Sequence, residues 1–216
     1  MNILAFDTSL HKTCIGLKIN DDITTKTILS DEKNYHSAYL LDTIVKLLKE
    51  NNLTLKDINL VATNIGPGSF TGIRVGVSIA KTIAQTLDIS CVPINSAEIL
   101  SRIISEPSIC ALDARKNMAY VKQSNDNTVS MIELSGLLSL IKSKNCKVIS
   151  DSSLGGIFIK EGIEYINFET SEADFGRILL EITEEKINRH KLVNWWDLKP
   201  LYLQPPPIHQ KKMSIY

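Results

Sequence analysis

The chain has no excess of charge of either sign, because its 24 Lys and Arg residues equal its 24 Asp and Glu residues. A basic surface is the usual electrostatic feature of proteins that bind nucleic acid or an anionic membrane. The balance therefore argues against strong direct binding of RNA by this chain alone.

The segments that target or anchor a protein are also missing from the sequence. The opening residues, MNILAFDTSL, include no basic segment followed by an apolar one, which a signal peptide would need. No stretch approaches the roughly 18 consecutive apolar residues of a membrane-spanning helix. We therefore expect a cytoplasmic protein that makes no contact with a membrane.

Cysteine and histidine are too scattered to predict a metal site. The cysteines include no CxxC pair, which is typical of small buried thiols, and the histidines include no HxxxH pair at the spacing of helical ligands. The residues in question are Cys14, Cys91, Cys110, Cys146, His11, His36, His190 and His209. We expect neither a disulfide framework nor a bound metal in this chain.

Two common catalytic motifs fail in the glycine-rich stretch at residues 66–72. Gly72 is followed by Ile73 and Arg74, whereas a P-loop has Lys and then Ser or Thr after its last glycine. Ser69 is the second residue of the segment GSFTG, whereas a GxSxG nucleophile elbow has serine third. The sequence therefore shows no reaction centre, and we expect no catalytic residues.

The rest of the chain can be placed around residues 64–87, where a glycine loop joins a predicted buried strand at residues 58–63 to a long helix. The loop consists of Gly66, Pro67, Gly68, Ser69, Phe70 and Thr71. A tight structural turn is the simpler interpretation, although the helix N-terminus behind it leaves weak anion binding open. Thr71 is the expected N-cap of this helix, and Ser96 is the expected N-cap of a later helix predicted at residues 96–104.

Two predicted helices carry more apolar surface than one sheet can cover. The helix at residues 71–87 has an apolar arc of about 200° and the helix at residues 36–50 one of about 180°, whereas packing on a sheet needs a stripe somewhat over 100°. Gly72 and Gly76, one turn apart, indicate close approach of another backbone. The two helices either cover each other within the chain or together present an apolar surface to another protein.

The predicted elements run in the order three strands, helix, strand, helix, strand, helix as far as residue 105. The first, second and last of these strands are predicted at residues 2–7, 13–19 and 91–94. Pro107 then breaks the pattern, because the residue before a proline is pushed out of helical geometry. We predict an α/β protein with a first lobe at residues 1–105 and a smaller second lobe at residues 106–216. For the second lobe we predict only four strands and two helices, the helices at residues 135–143 and 173–189. The second lobe ends in a Pro-rich segment that Trp195 and Tyr202 should anchor.

Asp7, Thr8 and Ser9 form the turn after the first predicted strand. Such a short acidic and hydroxyl loop could face a phosphate or its metal, although an ordinary turn bonded to its own backbone is the simpler interpretation. The phosphate-loop interpretation makes the chain an ATP-binding transferase or ATPase that acts on its own. It is the alternative hypothesis.

Several segments resemble the bacterial TsaB (YeaZ) family. They are MNILAFDTS at the start, the pair His36-Ser37, GPGSFTGIRVG from residue 66, AKTIA from residue 80 and ALDAR from residue 111. The resemblance implies the two-lobed fold of actin-like and Hsp70-like ATPases with a reduced second lobe. It also implies a non-catalytic subunit that binds TsaD, its paralogue, for the threonylcarbamoyl modification of adenosine 37 in tRNAs.

The same resemblance implies partners and an interface. ATP and metal are expected to bind to partner subunits, and TsaE is expected to join TsaD in a larger complex. When TsaD is absent, the chain is expected to form a homodimer. Contact with tRNA is expected only through the partners. Ser96 and Leu100 stand where TsaD has its metal-binding HxxxH pair. Asn117, Met118 and Gln204 depart from the usual family pattern. The interface residues implied are His36, Tyr39, Leu40, Thr43, Gly72, Val75, Gly76, Ile79, Thr82 and Ile83.

Overall fold

The computed structural model describes residues 1–30, 35–124, 126, 128–144 and 146–203, apart from the side chain of His36. The first lobe contains five strands and three helices, in the order that the sequence predicts. They are β1 (Asn2–Asp7), β2 (Thr13–Ile19), β3 (Asp22–Ile28), α1 (Leu40–Glu50), β4 (Leu60–Asn64), α2 (Phe70–Leu87), β5 (Cys91–Ile94) and α3 (Ser96–Leu100). A 3-10 turn at His36–Tyr39 leads into α1.

The second lobe repeats this order element for element. It consists of β6 (Ser108–Asp113), β7 (Met118–Gln123), β8 (Ser130–Glu133), α4 (Leu134–Ser143), β9 (Lys147–Ser150), α5 (Ser152–Lys160), β10 (Ile166–Asn167) and α6 (Phe175–Asn188). The sheets have the equivalent orders β3-β2-β1-β4-β5 and β8-β7-β6-β9-β10. In the first sheet the central strand β1 is antiparallel to β2 and parallel to β4, and in the second sheet the central strand β6 is antiparallel to β7 and parallel to β9. The two lobes are therefore structural duplicates.

The second lobe is less reduced than predicted, because the prediction missed α5 and β10. The sequence of α5, SSLGGIFIK, contains two adjacent glycines, each of which costs about 1 kcal/mol against alanine in a helix. Leu154 and Phe158 bury one face of α5 against the second sheet and compensate for that low propensity. Strand β10 has only 2 residues, too few for a recognisable alternation.

Each sheet is covered on both faces. Helices α1 and α2 pack on one face of the first sheet, where Leu4, Phe6 and Leu17 lie in their shared core. Helices α4 and α5 cover the corresponding face of the second sheet. The remaining two faces share one core with α3 and α6, and α6 packs directly on β1 and β2.

The predicted boundary between the lobes at residue 105 does not separate all of their contacts, because α6 packs on the first sheet. That position lies between α3 and β6, but α6 returns from the second lobe to the first sheet. Residues beyond α6 also return, because Val193 pairs with Cys91 in an antiparallel bridge and Leu198 is buried in the first-lobe core. The two lobes are therefore packed together by elements that are distant in sequence.

Two predicted caps are wrong by one or two residues. Helix α2 begins at Phe70 with Ser69 as N-cap, whose Oγ accepts a hydrogen bond from the Gly72 amide at 3.2 Å, and Thr71 is exposed. Helix α3 has Asn95 as N-cap rather than Ser96, and Asn95 forms a capping box with Glu98. Trp195 packs on the first-lobe core as expected, whereas the prolines at residues 205–207 lie outside the described residues.

Candidate functional site

The turn that follows β1 is buried beneath the start of α2. Asp7, Thr8 and Ser9 are only 1%, 1% and 3% exposed. The Thr8 hydroxyl donates to the Gly72 carbonyl at 2.7 Å, and the Ser69 amide donates to the Ser9 carbonyl at 2.8 Å. The side chains of the turn are therefore covered by the start of α2, although Ser9 also lines the cleft between the two lobes that is described below. The phosphate-loop hypothesis for Asp7, Thr8 and Ser9 stays a prediction.

Glycine is required where α2 meets this turn. A Cβ at Gly72 would lie 1.9 Å from the Thr8 carbonyl oxygen, and a Cβ at Gly76 would lie 2.7 Å from the Thr8 Oγ1. A Cβ at Gly68 would lie 2.6 Å from the Ser9 carbonyl oxygen. The close backbone approach predicted from the helix glycines is confirmed for Gly72, where the backbone belongs to the same chain, whereas Gly76 faces the side-chain hydroxyls of Thr8 and Thr63.

A buried polar network connects the glycine loop to the ends of three strands. Asp7 Oδ1 accepts hydrogen bonds from the amide and the hydroxyl of Ser9, each at 2.7 Å. Asn64 Nδ2 donates to Ser96 Oγ at 2.9 Å, and Ser96 Oγ donates to the Pro67 carbonyl at 2.5 Å. Burial raises the pKa of Asp7, although hydrogen bonds from Ser9 and Asn64 oppose the shift. The network holds the N-terminus of α2 in one orientation.

The predicted interface residues divide into two groups. Those with accessible surface are Tyr39, Thr43, Val75 and Ile79, which are half-buried, and Thr82, which is exposed. Those buried in the chain's own core are Leu40, Gly72, Gly76 and Ile83.

The buried group corrects the prediction. Leu40 is 0% and Ile83 is 4% exposed, because both side chains pack with the first sheet in the core beneath α1 and α2. Gly72 and Gly76 face the Thr8 turn. None of these four residues can contact a partner without unpacking the lobe. The side chain of His36 lies outside the described residues.

Exposed apolar residues that the prediction did not name lie on α1. Leu41 is 53% and Val45 is 50% exposed, and they are one helical turn apart. The apolar arc of this helix contains them, but the sequence does not tell which part of a wide arc faces outward. The 3-10 turn before α1 contacts α2, so the two helices lie side by side at this end.

An aromatic and cationic cluster lies at the start of α2. The Arg74 guanidinium lies 3.9 Å from the centre of the Phe70 ring, which is 58% exposed. Arg74 Nε also donates to the Tyr202 hydroxyl at 3.1 Å. Tyr202 is thus held by a hydrogen bond rather than by burial, since 52% of it is exposed.

A polar cleft of about 600 Å³ lies between the two lobes. Asp113 and Asp151 line it at the ends of β6 and β9, and Asp151 Oδ2 accepts a hydrogen bond from the Asp113 amide at 2.8 Å. Burial raises the pKa of Asp151, and the hydrogen bond from the Leu154 amide opposes the shift. Within the described part of the chain, no three His, Cys, Asp or Glu residues are grouped so that they could hold a metal.

No helix among the described residues combines the length and the apolar character needed to cross a lipid bilayer.

Comparison with known proteins gives the family. The family model described as TsaD, tRNA N6-adenosine threonylcarbamoyltransferase, matches residues 27–134. The tRNA threonylcarbamoyladenosine biosynthesis protein TsaB of Bacillus subtilis (strain 168) is 37% identical over 101 residues, which is 47% of this chain and 44% of that protein. The chain belongs to the family that this model describes, and the curated relatives support its resemblance to TsaB (YeaZ). Proteins of the same name from two further bacteria are 39% and 30% identical over the matched residues.

The fold is also that of the family. A Pseudomonas aeruginosa protein whose crystal structure is described as similar to the peptidase YeaZ superposes with a TM-score of 0.77 at 18% identity, over 94% of this chain and 99% of that chain. The two proteins therefore share one fold. In sequence, the chain spans about half the length of the curated relatives it matches, from 38% to 53%.

The TsaD family also includes catalytic relatives of this chain. The tRNA N6-adenosine threonylcarbamoyltransferase of Sulfurisphaera tokodaii is 31% identical over 111 residues, 44% of this chain and 33% of that protein. In this chain the positions compared with the TsaD metal ligands are enclosed, since Ser96 and Leu100 are both 0% exposed. Asn117 is exposed in the β6–β7 turn at φ 63°, a backbone conformation that asparagine tolerates.

Proposed function

We propose that the protein is a non-catalytic subunit in the biosynthesis of threonylcarbamoyladenosine in tRNA, and that its role is to bind TsaD. Family membership and the shared name of the TsaB relatives support the place in this pathway. Binding of TsaD through α1 and α2 is supported by one structural observation. Each helix keeps apolar side chains at its surface although its sheet is already covered.

The proposed interface is smaller than the sequence indicated and uses other residues. It consists of Leu41 and Val45 on α1 together with Val75 and Ile79 on α2, with Thr43 and Thr82 at its margin. Full burial of one such side chain contributes about 1.5–3 kcal/mol, and each residue is already partly covered. The four apolar side chains together would therefore contribute roughly 3–6 kcal/mol to association before its entropic cost.

We propose that the chain is not catalytic because the side chains that could take part in a reaction are buried. Asp7 and Thr8 lie beneath α2, and Ser96 hydrogen-bonds inside the network with Asn64. We propose that ATP and metal bind to the partner subunits and that TsaE belongs to the larger complex. In this proposal tRNA contacts the partners and not this chain. A homodimer through the same two helices would cover the surface when TsaD is absent, because an apolar helix face favours burial against any complementary copy.

Affinity capture of TsaD from the same organism tests the proposed interface. Val75→Asp or Ile79→Asp should abolish co-purification, because a carboxylate without a partner would then be buried at the contact. Both residues are half-buried at the surface of a helix, so circular dichroism should show an intact fold. Ser139→Asp places the same charge on the exposed face of α4 in the second lobe and should leave capture unchanged. Capture that survives both charges on α2 would place the interface elsewhere.

The match to catalytic threonylcarbamoyltransferases keeps a second candidate in view, namely an enzyme that binds ATP by itself. Calorimetry with ATP and magnesium on the purified chain separates the two candidates. A non-catalytic subunit should show no turnover without partners. Micromolar binding together with nucleotide hydrolysis by the isolated chain would favour the enzyme.

A further inference from the structure

A second polar pocket, of about 230 Å³, lies away from the cleft and from the proposed TsaD-binding helices. Its walls come from α3 and from the end of β7 and the last turns of α6, so that both lobes contribute. Five cations line it, and they are Arg102, Lys122, Lys186, Arg189 and Lys191. Its three carboxylates are Glu98, Asp126 and Glu185.

Ion pairing accounts for only two of these cations. Arg102 pairs with Glu185 at 2.6 Å, and Lys186 pairs with Glu98 at 2.8 Å and also donates to the Pro93 carbonyl at 2.7 Å. Asp126 accepts a hydrogen bond from Gln123 Nε2 at 3.2 Å. Within the residues that the structure describes, Lys122, Arg189 and Lys191 have no carboxylate partner.

Lys122 is the residue that requires an explanation. It is only 7% exposed, and the one acceptor that its ammonium reaches among the described residues is the Gln123 carbonyl, at 3.4 Å. That distance is beyond the usual 2.7–3.2 Å of an N–H···O hydrogen bond. An ammonium can donate three hydrogen bonds, and a buried charge is costly unless an opposite charge or several acceptors compensate it. The pocket therefore holds a nearly buried cation to which no carboxylate among the described residues supplies a counter-charge.

We propose that this pocket binds a small phosphate-bearing anion, with Lys122 at its base and Arg189 and Lys191 at its mouth. A phosphate group accepts several charge-assisted hydrogen bonds at once, as an ammonium and a guanidinium on different sides of a pocket would provide. The volume is below the 300–1,000 Å³ of pockets that enclose whole organic ligands. Free inorganic phosphate or pyrophosphate fits the site better than a nucleotide does, and the bound anion would connect α6 with the end of β7.

Calorimetric titration of the full chain with inorganic phosphate, in a chloride buffer of constant ionic strength, tests the proposal. We expect saturable binding in the wild type and a loss of affinity of about tenfold or more in Lys122→Met, which keeps the apolar stem and removes the charge. Lys160→Met removes an exposed lysine from α5 and should leave the affinity within about twofold. Equal affinities in all three proteins would overturn the proposal.

A second measurement covers the case in which Lys122→Met alters the fold. Arg189 is exposed, so Arg189→Gln should fold normally and still weaken phosphate binding by several-fold. In phosphate-free chloride, Lys122→Met should also melt about 2–4 °C above wild type, because it removes a buried cation that no described carboxylate pairs with.

A short RNA hairpin provides the other source of phosphate. Binding of the hairpin in a Lys122-dependent manner, without binding of inorganic phosphate, would refute a small-anion site.

Discussion

Replacing Gly72 with alanine should separate α2 from the turn after β1. The added Cβ would lie 1.9 Å from the Thr8 carbonyl oxygen and 2.8 Å from the Thr8 carbonyl carbon. Both atoms belong to backbone that is anchored in the sheet, so a rotamer change cannot relieve the overlap. The helix must move, and the hydrogen bond of 2.7 Å from the Thr8 hydroxyl to the Gly72 carbonyl is then lost.

The magnitude follows from three contributions. Overpacking of a close contact costs about 1–3 kcal/mol, and a buried hydroxyl left without its acceptor costs about 1–3 kcal/mol. The higher helix propensity of alanine offsets about 1 kcal/mol of this cost. We expect the free energy of unfolding to fall by about 3 kcal/mol, which for a chain of this size lowers the melting temperature by roughly 6–12 °C.

Urea denaturation followed by circular dichroism measures the change, and Gly136→Ala is the matched control. Gly136 is the third residue of α4, as Gly72 is of α2, but a Cβ at Gly136 would have no neighbour within 4 Å. Gly136→Ala should therefore stabilise the protein by about 0.5–1 kcal/mol. If the two substitutions shift the unfolding midpoint by the same amount and in the same direction, the close packing of α2 on Thr8 is refuted.

Two further predictions concern ionisable groups. Burial raises the pKa of Cys14 and Cys110 to about 12 and that of Cys91 to about 11. A disulfide reagent at pH 8 should therefore modify only the half-buried Cys146 quickly in the folded protein, and all four thiols in urea. Rapid modification of more than one thiol in the folded protein would contradict this burial. Because burial raises the pKa of Asp7 above its ordinary 3.8, the folded state loses stability relative to the unfolded state as the pH rises from that value to the raised pKa. The stability of Asp7→Asn relative to wild type should therefore increase over that interval, and denaturation curves at several pH values would refute the idea if the difference stayed constant.

The local pattern of the sequence was sufficient for much of the first lobe. The predicted bounds of β1, β2 and β5 agree with the structure, because each is a short apolar or alternating run between turn residues. The order of elements up to α3 was also correct. The same approach failed for α5, whose two glycines give it low propensity and whose helix depends on Leu154 and Phe158 packing on the second sheet.

The site shows the same limit. The wide apolar arcs of α1 and α2 did not tell Leu40 from Leu41 or Ile83 from Ile79. Adjacent residues of a helix differ in direction by about 100°, and residues four apart by only about 40°, so the side that faces the sheet depends on how the helix is placed. The function of Asn64 and Ser96 in holding the Asp7 turn was likewise invisible, because these residues are far apart in the chain.

The sequence by itself determined the family, the α/β order of the first lobe and the glycines at which another backbone approaches, since these depend on residue types and short spacings. Only the tertiary structure decided that the lobes repeat the same order of elements, that the side chains of the Asp7-Thr8-Ser9 turn are covered by α2, and that Lys122 lies in a pocket where no described carboxylate pairs with it. Each of these depends on contacts between segments that are distant in sequence, and no local pattern encodes them.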